Sequence, residues 1–105
     1  MIDRIWHGWT KVENADAYEK LLRDEIFVGI AGRRISGYRG IRLLRRNIGD
    51  EVEFVTIMRF DTLESVREFA GRDYGVAVVP AEARALLSHF DERSQHYEVR
   101  IEVPS

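Results

Sequence analysis

The chain has 105 residues, 45% of them hydrophobic, with sixteen basic and eighteen acidic side chains and a net charge of −2. That length suits a single domain spanning residues 1–105. The arginines, which are all but two of the basic residues, are interspersed with acids rather than gathered, so nucleic acid is not an expected partner. With no Cys, disulfides, thiolate metal sites and a cysteine nucleophile are excluded; no apolar run reaches membrane-spanning length and no signal peptide is recognisable, so a cytoplasmic location without membrane contact is the default expectation.

Ile2 to Thr10 is rich in aromatic and β-branched residues and free of proline, which predicts a strand. Its faces are Arg4, Trp6 and Gly8 on one side and Ile5, His7 and Trp9 on the other, so large rings point both ways. In "ENADAYEKLLRDEIFVGIAGRR", Tyr18, Leu22, Ile26 and Ile30 recur at helical spacing. Asn14 is the expected cap of this helix, Gly32 its left-handed terminator, and Arg33 and Arg34 complement the negative end of its dipole.

Tyr38 to Arg46 and Glu51 to Phe60 flank "NIGD", whose residue types suit a hairpin turn, and the two segments are expected to pair antiparallel. The second presents Val52, Phe54, Met58 and Phe60 on one face and Val55 and Ile57 on the other. Asp61, with Glu64 three residues on, reads as a capping signature for a helix that buries Leu63, Val66, Phe69 and Ala70 and ends at Gly71. Pro80 suits the first turn of a further helix reaching about Ser88. His96 to Val103 alternates strictly between apolar and polar residues, as a half-buried strand does.

Strand, helix, strand, strand, helix, strand is the ferredoxin-like βαββαβ order: an α+β fold with a four-stranded antiparallel sheet, the first and third strands central and the helices on one face. Because the central strands carry apolar groups on both faces, the uncovered face needs a cover from outside the chain. The economical cover is a second copy, giving a homodimer.

On "RIWHGWT", "LLRR", "DEVEFV", "FDTLESVREFAGRDY", "AVVPAEARALL", "FDER" and "HYEV", nearly the whole chain resembles the antibiotic biosynthesis monooxygenase type of dimeric α+β barrel protein. The resemblance implies that barrel dimer and an oxygenase acting on a small aromatic or polyketide-like compound with no cofactor, or a non-catalytic binding or stress-associated relative. The haem-degrading members use an Asn on the first strand, a Trp on the second helix and an axial His just after it. Trp6, Phe69 and Val79 stand at those positions, so haem chemistry is not expected.

Cofactor-free oxygenation needs a base or relay, a cation or donor to hold an anion, and a dry aromatic pocket. His7, Arg59 and Tyr74 are the catalytic candidates, with His96 behind them; Trp6, Trp9 and Phe69 are the candidate substrate-binding walls. Each has a structural reading beside the functional one. Tryptophans also fill cores and interfaces, His7 suits a half-buried hydrogen bond as well as catalysis, Arg59 suits a salt bridge, and Tyr74 suits a surface anchor. Histidines at 7, 89 and 96 lack metal-site spacing, so no metal is expected.

Overall fold

A computed structural model describes residues 1–105. In chain order the elements are β1 (Ile2–Lys11), α1 (Val12–Leu21), a π-helical turn (Leu22–Ile26), α2 (Phe27–Gly32), β2 (Tyr38–Ile48), β3 (Glu51–Phe60), α3 (Leu63–Ala70), α4 (Ala81–Leu86), β4 (Leu87–Phe90) and β5 (Gln95–Glu98). The sheet order is β2-β3-β1-β4, with β5 also paired to β1, and every pairing is antiparallel. This is the expected ferredoxin-like α+β fold, with β1 and β3 central. No helix is long and apolar enough to cross a membrane.

Registration of β1 against β3 sets what each face carries. Trp6 lies opposite Thr56, Arg4 opposite Met58 and Gly8 opposite Phe54, so the even-numbered residues of both strands share one face. Val52, Phe54, Met58 and Phe60 are buried there, which makes it the helix-covered face. The odd-numbered residues, including Ile5, His7, Val55, Ile57 and Arg59, lie on the face without helices. The β2–β3 connection is a two-residue hairpin in which Gly49 has φ 61, a backbone conformation glycine adopts without strain.

The helix layer packs in two clusters. Tyr18 and Leu22 of the first helical segment meet Val52 and Phe54, whereas Val66 and Phe69 of α3 meet Ile35, Met58 and Phe60. A T-shaped contact between Tyr18 and Phe54, with centroids 4.8 Å apart, anchors the first cluster.

Several local expectations are corrected. The first helix begins at Val12 with Lys11 at its N-cap and no side-chain cap, because β1 is still paired at Lys11 and runs straight into the helix; Asn14 lies inside it. Gly32 is its last helical residue, and Arg34, φ 52, takes the left-handed position instead. Arg33 donates to the carbonyls of Phe69 and Glu68 at 3.2 and 3.0 Å, so it caps α3 rather than its own helix. The cap of α3 is Thr62, whose hydroxyl accepts from the Ser65 N–H at 3.2 Å; Asp61 pairs with Arg39.

The helix after Pro80 stops at Leu86, and Leu87–Phe90 is a strand. The last strand is therefore split into β4 and β5. Between them the chain leaves β1 to bond the segment after α3: the Ala77 N–H donates to the Glu92 carbonyl (2.9 Å) and the Ser94 N–H to the Gly75 carbonyl (2.7 Å). Beyond Glu98 the predicted strand does not continue, because β1 begins at Ile2 and offers no further ladder; Ile101 and Val103 are each 82% exposed.

Candidate functional site

Where the two core clusters meet, a cavity of about 60 Å³ lies between sheet and helices. Trp6 and Met58 close it from the sheet, Tyr18 and Leu22 from the first helix, Phe69 from α3, and Val79 from the segment before α4. An outer groove of about 340 Å³ shares Ile26, Ile30, Phe69, Val78 and Pro80 with it, so the cavity and the groove adjoin there.

Trp6 is held in place from two sides. Its indole N–H donates to the Asp91 carbonyl at 2.7 Å, and its ring lies 6.0 Å from that of Phe90. Gly8 makes room for it: a Cβ there would sit 2.7 Å from Trp6 Cη2 and 3.0 Å from Leu87 Cδ2.

Arg4 forms the polar part of the wall. The residue is 3% exposed, and its guanidinium lies 5.5 Å from the centroid of Phe69 and donates to the carbonyls of Tyr74 and Val76, the latter at 3.0 Å. It also lies 3.0 Å from His96 Nε2. Arginine has no lone pair to offer, so Nε2 must be the acceptor and the neutral ring carries its proton on Nδ1. Burial, and then the charge of Arg4, lower the His96 pKa from 6.5 to about 4. The Arg4 guanidinium is itself pulled down by burial to about 10, so it stays charged at neutral pH.

The predicted residues divide between two places. Trp6 and Phe69 are brought together on the cavity wall. Tyr74 stands at its margin, its carbonyl on Arg4 and its ring edge-on to His96 at 5.0 Å. His7, Trp9 and Arg59 are on the opposite face of the sheet. His7 Nδ1 is 3.0 Å from Glu53, a buried carboxylate that also accepts from Arg46 at 2.6 Å; Arg46 first, then His7, hold that carboxyl below its ordinary range. Trp9 stacks on His89 with centroids 4.5 Å apart and planes 8° from parallel. Arg59 is gripped by Asp3 at 2.9 Å and by Glu102 at 2.9 Å, which raise its pKa in that order.

Of the cavity wall, the sequence reading singled out only Trp6 and Phe69 as functional, and Arg4 is the charged wall residue it missed. The available signal was alternation: Arg4 shares the Trp6 face of β1, and a charge on the helix-covered face of a central strand has to be buried.

No family model matches the chain, and no curated protein matches it. Among solved structures it is similar to a Bacillus cereus protein described as a putative antibiotic biosynthesis monooxygenase, with a TM-score of 0.69 over 99% of this chain and 97% of that one. The identity is 10%, so what the two share is the ferredoxin-like α+β fold.

Proposed function

We propose that the protein is a homodimer that binds a compact aromatic molecule between its sheet and helices and oxygenates it without metal or flavin. The observation that carries this reading is the cavity itself, walled by the rings of Trp6, Tyr18 and Phe69 from three different elements and opening towards a surface groove. The description of the Bacillus protein of the same fold supports the choice of reaction. The electrons come from the substrate: an activated methylene and O2 give a carbonyl and water. Trp6 and Phe69 hold the ring and exclude bulk water.

For haem the residues do not fit. The positions that the family resemblance assigns to the axial ligand and the stacking ring carry Val79 and Phe69, and no imidazole or thiolate lines the cavity.

The dimer is supported by the bare sheet face, where Ile5, Val55 and Ile57 sit together with no helix over them, and by the exposed, alternating tail after Glu98. Packing two such faces together forms a barrel, with each cavity on the outer side of its own sheet.

A second reading, ligand binding without turnover, is favoured by the positions of His7 and Arg59. Both are engaged by carboxylates on the far face, so neither reaches a ligand in the cavity; at about 60 Å³, against roughly 150 Å³ for an engineered cavity that admits benzene, the cavity takes an aromatic ring under either reading only if its walls move outward. Oxygen uptake with a hydroxyanthrone or quinol panel, without added metal or flavin, separates the two. Turnover is expected in wild type and in His7→Ala, with about tenfold or greater loss in the cavity-filling Val79→Phe. Binding without uptake would establish the second reading, and absence of both would remove the cavity from consideration.

A further inference from the structure

Arg4 is the one buried arginine of the chain, and it forms no ion pair. Glu53, the buried carboxylate of the opposite sheet face, has both Arg46 and His7 as partners. Buried charges in folded proteins are paired in that way, because one left uncompensated in a low-dielectric site is costly. The groups facing Arg4 are all neutral: the carbonyls of Tyr74 and Val76, the His96 ring on β5 and the Phe69 ring on α3. His96 cannot become the counter-charge, since protonation would set a second cation against the first.

Those hydrogen bonds occupy three of the five guanidinium N–H groups. Arg4 also lines the cavity, as do Tyr18, Thr56 and Ser94, and none of these three hydroxyls has a hydrogen-bond partner within the chain. Tyr18 is 1% exposed, and its burial raises the hydroxyl pKa above the ordinary 10, so it remains a neutral O–H free to donate. An unmatched positive charge and unmatched donors thus border the same space of about 60 Å³. A single water needs about 10–15 Å³ of such space, so with its walls closed the cavity takes a few water-sized atoms and no ring.

We propose that the closed cavity is a site for one small monovalent inorganic anion, of the size of chloride, bromide or nitrate, which supplies the counter-charge Arg4 lacks. Charge and size both narrow the choice. A cation is repelled by Arg4, and a dianion would bring a second charge that nothing in the lining matches. A halide is only a little larger than a water molecule, and it accepts hydrogen bonds from N–H and O–H donors without offering any in return. The site is independent of the oxygenase reading: it concerns what fills the cavity while the walls are closed, and a larger molecule entering as they open would have to displace the ion. Since only the folded chain assembles this lining from β1, the helices and the segment before α4, the ion stabilises the fold by mass action.

The probes are sodium chloride, bromide and nitrate, exchanged at constant ionic strength for sodium gluconate, whose anion is too large to enter. On the full chain, the melting temperature should rise with each small anion along a single-site curve and stay flat in gluconate. Chloride-35 NMR should show a line broadened by the protein and narrowed again when bromide or nitrate competes. Arg4→Met should weaken binding about tenfold or more in both measurements, and Arg4→Lys should retain it. Exposed arginines such as Arg42 are untouched in these variants, so the loss assigns the site to the cavity. If Arg4→Met does not fold, Val79→Phe, which fills the cavity and leaves Arg4 in place, should lose the broadening instead. A wild-type melting temperature that follows ionic strength alone, with no competition between anions, would overturn the proposal. So would a folded Arg4→Met or Val79→Phe that broadens chloride as wild type does; either result would leave water in the cavity and Arg4 held by its neutral partners alone.

Discussion

Replacing Ile57 by Asp tests the proposed dimer without touching the core. Ile57 is half-buried, paired across the sheet with Ile5 on one side and Arg42 on the other, and it points away from both core clusters. Covering an isoleucine side chain is worth roughly 1.5–3 kcal/mol when it starts fully exposed. A two-fold interface counts the residue twice, for about 3–6 kcal/mol; because Ile57 is partly covered already, the lower half of that range applies. At 1.4 kcal/mol per factor of ten, the dimer dissociation constant should rise by about two to three orders of magnitude. Sedimentation equilibrium across the micromolar range reads this directly, while circular dichroism should show a folded chain. The neighbouring Met58→Asp is the contrast: Met58 is 4% exposed among Phe60, Val66 and Phe69, and a carboxylate there should unfold the protein. A wild-type monomer at micromolar concentration, or an Ile57→Asp variant that dimerises as wild type does, would refute the reasoning.

His96 gives a pH signature. Its folded pKa lies near 4, below its ordinary 6.5, so between those values the unfolded chain binds the additional proton and stability falls as pH falls. The melting temperature of wild type should therefore drop more steeply from pH 6.5 towards 4 than that of His96→Gln, which keeps a neutral acceptor for Arg4; parallel curves would show that His96 does not contribute. Gly8→Ala places a methyl group 2.7 Å from Trp6 Cη2, and the overpacking should cost about 1–3 kcal/mol by denaturant titration and shift the tryptophan emission. An unchanged midpoint and spectrum would mean that the indole is not confined as described.

The central strands were legible because period-two patterning is a local property: the odd and even sets of β3 fall on the open and covered faces they were expected to share. What patterning alone could not say is which face the helices take. That choice depends on the crossover and on the register with β1, and it decides that Arg4 rather than Arg59 reaches the cavity. The end of the last strand was misread for a related reason. Alternation continues to Val103, but a strand lasts only as long as its neighbour, and β1 begins at Ile2. Asn14 and Asp61 have good capping chemistry, yet a strand paired up to Lys11 and an ion pair with Arg39 left no use for it.

The π-helical turn at Leu22–Ile26 has a consequence for how the cavity wall can change. One wide turn inserted in an otherwise α-helical segment advances everything after it by about one residue, or roughly 100° of rotation about the axis. Ile26, Phe27 and Ile30 line the cavity alongside Tyr18 and Leu22 with that offset included. The two halves of the helix are therefore out of phase with each other by design of the chain length, and a chain one residue shorter in this turn would keep Tyr18 on the sheet while swinging the second half of the wall towards solvent. The shape of the pocket on that side is set by a count of residues as much as by their identities.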